Sequence, residues 1–466
     1  MYDGYADFAL KFLEKNNVQY GEVRLEEHEE EGLILKNGTA EVSGFDHSIG
    51  MGVRFLLNNS LGFVSINRFE KDSIKKNIMK AIRVVRNGNR LSEKVRLSEE
   101  LPYKKIYKVM QKVKFKDIKL SDKIELLHET DSGARNAIGR YLSLSSDISK
   151  KSLLTTEGTR IISEIPRANF TFFLTLKING KSSQKYWQLC NSGGYEHVKK
   201  WNLPKYILDE YKAIEKNLKH ARKPPREKID VVVGPEVTGI MVHESVGHPF
   251  EADRIFGREA AQAGESFIHK NMIGNRLGSE IVNVVDDPTL ENSAGFYLYD
   301  DEGVKARRRF LIKDGKINEF LHNRETAAEM NVKSNGAARA EDFDKEAIIR
   351  MANTFLLPGE YSEEELIEDI KLGVYIRDYT EWNIDDKRFQ QKYVGGDAYL
   401  IKNGKIRYPV IKPVLELTTP ALWNSIDAVG KNIEYHTGTC GKGEPMQGVP
   451  AFLGGPSIRI KDIKLG

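Results

Sequence analysis

The segment MVHESVGHPFEAD, residues 241–253, holds the side chains with the most chemistry in the chain: His243, Glu244 and His248. Two imidazoles beside a carboxylate are the parts of a hydrolytic zinc centre. Histidines hold the ion and a Glu moves the proton of the attacking water. In the H-E-x-x-H helix of such enzymes the histidines are four residues apart and share one face. Here they are five apart. On a regular α-helix that spacing turns them about 140° away from each other, too far for one ion. A π-turn, which adds a residue, brings i and i+5 back into line. Gly247 is conformationally free, and Pro249 has no N–H for the carbonyl of Ser245 and clashes with it. The spacing therefore predicts a helix that bulges or ends at 245–249, with both imidazoles facing one point. Without that distortion the same residues read as an amphipathic core helix, with Val237, Ile240, Met241 and Glu244 on one face.

A catalytic zinc takes a third protein ligand and keeps a fourth position open. Glu251 and Asp253 follow closely in sequence. His436 and Cys440, in EYHTGTCGKGEP (434–445), are the other candidates. A thiolate suits the soft side of zinc, and ligation accounts for a cysteine in a glycine-rich loop. The alternative for Cys440 is a small buried residue in a tight turn. GTCGKGE is not a phosphate loop. The G-x-x-x-x-G-K-[ST] spacing is absent, and Gly443 follows Lys442.

These residues need a scaffold. The chain has 466 residues, 40% hydrophobic and 30% charged, enough for two or three domains with a large core. VVVGPEVTGIMVHESVGHP (231–249) reads as strand, turn and helix, with Pro235 at the first helical turn. Upstream, Tyr5, Phe8, Ala9, Phe12 and Leu13 mark a first helix, and Ile74, Ile78, Ile82 and Val85 a second. Between them lie strand-like runs that turn at Asn37-Gly38 and Asn58-Asn59. The acidic run EEHEEE (26–31) reads as a solvated hairpin segment. After a Lys-rich connection near 93–118 a helix returns at SDKIELLHETDSGARNA (121–137). YLSLSSDIS, KSLLTTEGTRIISE and ANFTFFLTLKING follow as strands, and 195–220 as helix. This gives two α/β blocks of antiparallel strands flanked by helices, 1–118 and 119–220. ARKPPREK (221–228) is the linker. Residues 229–466 are strand-rich, with Asp314-Gly315 and Asn403-Gly404 turns. They read as a bent, mainly antiparallel, open-barrel-like domain. Its one good helix is SEEELIEDIKLG, with Ser362 and Glu365 spaced as a capping box and Gly373 at its end. The expected fold class is α+β.

Lys and Arg total 71 against 67 Asp and Glu, a net charge of +4. That balance gives no support for a nucleic-acid or membrane partner. No apolar run reaches the length of a membrane span, and the first residues lack the shape of a signal peptide. The expected location is the cytoplasm, where Cys190 and Cys440 form no disulfide framework.

HESVGHPFEAD resembles the H-E-x-x-x-H signature, with its acidic tail, of the TldD/PmbA family of zinc metallopeptidases. The likeness extends to DDEGVKARRRFLIKDGKI (300–317), RMANTFLLPG (350–359), LTTPALWNSIDAVG (417–430) and GTCGKGEPMQGVP (438–450), in the same order. It is strong over 229–466 and looser over 1–220. One branch of the family lacks the histidines; this chain is similar to the catalytic branch. The resemblance implies Zn2+ held by His243, His248 and Cys440, with Glu244 as the catalytic carboxylate. It implies a peptidase for short or unfolded peptides. It also implies a dimer, with a histidine-lacking TldE/PmbA-like paralogue or with itself. His436 is then a candidate for oxyanion stabilisation or for a hydrogen bond to a ligand. Two rivals use the same residues differently: a zinc amidohydrolase for a small non-peptide amide, and a non-catalytic subunit that supports an active paralogue.

Overall fold

Asn37 and Gly38 take positive φ, 51° and 83°, and reverse the chain between strands Tyr20–Lys36 and Thr39–Leu57. This is the turn that Asn-Gly favours. In the computed structural model, which describes residues 3–88, 94–259 and 264–466, these strands are 17 and 19 residues long. The start of the Lys-rich connection, at 93, lies outside those residues. Strand Tyr20–Lys36 also pairs antiparallel with Gly139–Thr155, from Glu22 opposite Thr155 to Lys36 opposite Tyr141. The strands on either side of the Lys-rich connection thus share one seven-stranded sheet. Helices Asp3–Lys15 and Lys71–Gly88 bury Leu10, Leu13, Ile74, Ile78 and Ile82 against one part of it. Helices Leu120–Ser132 and Leu203–His220 bury Leu127, Ile207 and Ile214 against another.

Two readings of this region change. YLSLSSDIS and the first half of KSLLTTEGTRIISE form one strand, Gly139–Thr155. The polar stretch SDISKKS runs unbroken within it, because its lysines face the acidic run across the ladder. Lys151 stands opposite Glu26 and Lys150 opposite Glu27. Lys150 Nζ lies 2.5 Å from Glu29, and Lys151 Nζ 3.3 Å from Glu26. Cross-strand pairs of opposite charge favour such a register. Nor is EEHEEE wholly solvated. Glu26 is fully buried, where it meets Arg24, Lys151 and His28.

Beyond the prolines, the strands fall into two six-stranded sheets, a three-stranded sheet and a two-stranded ladder among the described residues. Pairing is mainly antiparallel, with parallel exceptions at Lys228–Val233 with Leu372–Ile376 and Asn353–Leu356 with Gln447–Gly455. The α+β class is as expected. The capping box is also present: Ser362 N donates to Glu365 Oε2 at 2.6 Å, and Glu365 N to Ser362 Oγ at 3.2 Å. That helix, Glu363–Ile367, is shorter than its pattern, and Gly373 lies in strand Leu372–Ile376. The parallel partner Lys228–Val233 draws LGVYI into the sheet. Helix Pro235–Val242 sits between the sheets, with residues 236–242 all buried. Val237, Met241 and Val242 share a core with Val231 and Val233 of one sheet and Val284 and Leu453 of the other. A helix buried on every side belongs in such a place. No helix among the described residues is long and apolar enough to cross a membrane.

Glu26 is the buried link of this charge network. Glu26→Ala leaves Arg24 and Lys151 without their common carboxylate, and removing one partner of a buried pair costs about 3–5 kcal/mol. The urea midpoint of the variant should fall accordingly. A midpoint within error of the parent protein would show that the strand pairing carries itself.

Candidate metal centre

The site begins where the buried helix changes pitch. His248 N–H donates to the carbonyl of His243, an i+5 bond that closes a π-turn over His243–Gly247. A short 3-10 turn, His248–Phe250, follows. The two imidazoles meet edge to face, with ring centroids 4.9 Å apart. The predicted distortion is present, but Gly247 acts differently from expectation. Its backbone is helical, φ −54°. A Cβ there would stand 1.9 Å from Met351 Sδ. Glycine is needed for close approach, not for an unusual dihedral. Ser245 Oγ donates to Met241 O at 2.5 Å and accepts Trp423 Nε1–H at 3.0 Å, which pins the same turn.

Cys440 arrives from strand Glu434–Lys442, antiparallel to Gln447–Gly455. Its Sγ lies 3.5 Å from His248 Nε2. One ligand atom each from His243, His248 and Cys440 lies within 4.8 Å of the other two, and all three residues are buried. His243 Nδ1 is buried with no hydrogen-bond partner. An orphaned imidazole nitrogen beside a second imidazole and a thiol fits a soft or borderline divalent cation. Burial holds both imidazoles below their usual range, so the neutral, ligating form prevails. Burial raises the Cys440 thiol, but His248 and the Arg350 guanidinium outweigh it and bring it to about 7.

Glu251 and Asp253 do not face this point. Glu251 Oε2 accepts His248 Nδ1 at 3.0 Å and meets Arg254 Nε at 2.7 Å. That bond fixes the tautomer and leaves His248 Nε2 free to ligate. Asp253 pairs with Lys442 Nζ at 2.7 Å, and the same ammonium lies 3.2 Å from Glu251. Lys442 follows Cys440 by two residues, so this charge cluster ties the cysteine strand to the histidine turn. Arg350 braces the strand pair itself, donating to the carbonyls of Cys440 and Gln447. His436 shares a strand face with Cys440 but stands four residues away, about 13 Å. Its ring packs on Trp187 at 5.6 Å, and it does not line the metal cavity.

Sequence reasoning missed Arg388. Its guanidinium pairs with Glu244, and both side chains are buried. Arg388 lies in the turn between strands Tyr379–Ile384 and Gln390–Gly395, at φ 63°. Positive φ on a large side chain marks a strained position held by its surroundings. Asp385 Oδ1 accepts the N–H groups of Phe389 and Gln390 at 2.6 and 3.1 Å, and Thr419 Oγ1 holds the Arg388 carbonyl at 2.9 Å. In sequence, DDKRFQQ looks like a solvated turn. The one available signal was that a buried Glu244 requires a cation.

His243, Glu244, His248, Cys440 and Arg388 all line one cavity of about 480 Å3. Trp187, Tyr379 and Trp382 form aromatic walls. An ion site at the floor of a cavity, with a carboxylate beside it, is the arrangement of a metal-dependent hydrolase. Comparison with known proteins agrees. Residues 226–466 match the PmbA/TldA metallopeptidase C-terminal domain, 21–88 its domain 1 and 113–209 its central domain. The chain belongs to the PmbA/TldD family of metallopeptidases, a family of hydrolases. It is 33% identical to Metalloprotease MJ0996 of Methanocaldococcus jannaschii, over 94% of this chain and 95% of that one. It is 30% identical to the Zinc metalloprotease TldD homolog of Saccharolobus solfataricus, over 57% and 56% of the two chains. TldE from Thermococcus kodakarensis shares the fold at a TM-score of 0.75, with 16% identity over 100% of this chain and 99% of that one.

The hydrogen bond from His248 to Glu251 should tune metal affinity. In Glu251→Gln, zinc affinity measured by chelator competition should fall about 10–100-fold, the usual effect of losing such a partner. Circular dichroism read in parallel separates this from loss of fold. Unchanged affinity in a folded variant would show that Glu251 serves Lys442 and Arg254 alone.

Proposed function

We propose that this protein is a zinc peptidase that hydrolyses short or unfolded peptides held in extended form. The observation behind it is the meeting of three strand edges at the metal cavity. Lys181–Ser192, Tyr379–Ile384 and Glu434–Lys442 each lie at the edge of a sheet. Residues 184–188, 379–382 and 437–441 of these strands line the cavity. An edge strand offers a row of backbone N–H and C=O groups to an extended chain, largely without regard to its side chains. A folded substrate has no free backbone to present, which favours unstructured peptides over folded proteins and small amides. Zinc is preferred for its match to a His/His/Cys donor set and for the name, zinc metalloprotease, that the Saccharolobus relative carries.

In this reading His243, His248 and Cys440 hold the ion. When bound, zinc supplies Lewis acidity for the scissile carbonyl and a water acidic enough to lose a proton near neutral pH. Glu244 neighbours a ligand without being one. Its carboxylate takes that proton and returns it to the leaving amine. Arg388 holds the Glu244 carboxylate in the cavity and keeps its charge from standing unpaired while buried. The aromatic walls exclude water around the reacting bond.

The partner proposed is a histidine-lacking paralogue or a second copy of this chain. Its support is an aromatic row on the N-terminal sheet, Tyr141 beside Phe173 beside Tyr186, with Phe173 and Tyr186 39% and 46% exposed. The two buried, unbridged thiols support a reducing, cytoplasmic location.

Two variants separate binding from chemistry. Cys440→Ala should lose zinc and turnover together, because a three-residue site rarely survives on two ligands. Glu244→Gln should keep stoichiometric zinc yet lose hydrolysis of an unstructured peptide by about 10²–10⁴-fold. Zinc per chain and peptide turnover are read on each protein, with small amides as a parallel panel. Loss of zinc in Glu244→Gln would make the carboxylate a ligand. Cleavage of the amides but of no peptide would move the activity to an amidohydrolase.

A further inference from the structure

A second cavity, of about 340 Å3, lies behind the metal site, and Lys185 lines both. Among its described lining residues seven bear carboxylates, against three cations, Lys185, Arg377 and Lys431. Lys185 is buried and already shared, 2.7 Å from Asp378, 2.9 Å from Glu210 and 3.4 Å from Glu236. Arg377 is taken by Asp397 at 3.2 Å. Asp209 is met by Lys205 from outside the lining, and the carboxylates still outnumber the cations. Glu236 is 9% exposed, and its Oε1 is buried with no hydrogen-bond partner. Burial, with repulsion from Asp378 and Glu210, holds Glu236 well above the ordinary carboxylate range. Burial, with repulsion from Glu363, raises Glu434 as well. An incoming cation relieves both.

The geometry selects the kind of cation. A hard divalent ion needs several oxygens converging at about 2.0–2.6 Å. Among the described residues, three ligand atoms lie within 4.8 Å of one another only in His243/His248/Cys440 and in Glu26/His28/Asp342. The acids of this cavity are too dispersed for such an ion. Tyr206, Tyr361 and Tyr375 also line it, and aromatic faces favour organic cations. Position ties the cavity to the reaction. Glu236 precedes His243 by seven residues on the buried helix, about 10 Å, or about three residues of extended peptide. The wall between the cavities is thin. Trp187 faces the metal cavity and packs on His436, which lines the second.

We infer that the acidic cavity is a subsite for an ammonium or guanidinium group of the peptide, a basic side chain or the amino terminus, about three residues from the cleaved bond. This rests on the peptidase reading above. The probe is agmatine, titrated calorimetrically into the metal-free full chain, so that binding is read apart from turnover. Glu236→Gln and the more exposed Glu434→Gln are compared with the parent protein. Agmatine should bind the parent; Glu236→Gln should weaken it about tenfold or more, as the loss of a buried charge-assisted contact does, and the exposed Glu434→Gln about two- to fivefold. Glu434→Gln leaves the Lys185 pairs intact and guards against a folding defect in the other variant. On zinc-loaded protein, a peptide with Lys near the cleaved bond should be cut with higher kcat/KM than its norleucine counterpart. A free against an acetylated amino terminus tells the two sources of cation apart. No agmatine binding, binding indifferent to both variants, or saturation by Mg2+ or Ca2+ instead would each overturn the inference. Carboxylate-dependent agmatine binding in a protein that cleaves no peptide would support the cation site and overturn the peptidase reading.

Discussion

The hydrogen bond from His248 N–H to the His243 carbonyl sets the geometry on which the centre depends. One extra residue in that turn brings two side chains, about 140° apart on a regular helix, to the same point. The turn is costly alone, since it gives up the ordinary helical bond and places glycine and proline in a buried helix. It is held from outside. Met351 fills the space beside Gly247, Trp423 bonds Ser245, and Leu321 N–H donates to Phe250 O at 2.8 Å just beyond. A side chain larger than hydrogen at 247 would have to displace Met351, which is itself fully buried.

Charge placement does the rest of the positioning. The centre links Glu251 to Arg254 and to Lys442, and Lys442 to Asp253, all in or near the core. Isolated, each ion would be expensive there; together they offset one another's charge, and the bond from Glu251 Oε2 fixes which nitrogen of His248 faces the cavity. Arg388 does the same for Glu244 from a different sheet. The Glu244 carboxylate is thus oriented by a turn 144 residues later in the chain. The same economy appears in the N-terminal sheet, where Arg24, Lys151 and His28 surround Glu26.

Strand edges are a hazard in most proteins because they invite pairing with another chain. Here three of them border a cavity with aromatic walls. That arrangement brings the three edges to the border of one cavity, and under the peptidase reading they are where an extended chain would pair.

The sequence by itself determined the local chemistry. The five-residue histidine spacing implied a broken pitch if both imidazoles share one point, Asn37-Gly38 favoured a hairpin, and Ser362 with Glu365 a cap, because each is decided by neighbours a few residues apart. The α+β class followed from hydrophobic periodicity in the same way. The tertiary structure decided what depends on partners far along the chain. It joined the strands on either side of the Lys-rich connection in one sheet, since a ladder is specified by the strand across from it and not by the strand itself. It buried Glu26, which a run of acids in sequence could not foretell without Lys151. It directed Glu251 and Asp253 to Lys442, outside the cluster of His243, His248 and Cys440 ligand atoms, and set His436 about 13 Å down the strand from Cys440. It also brought Arg388 to Glu244. A buried charge is satisfied by whichever opposite charge the fold carries to it, and distance along the chain holds no record of that.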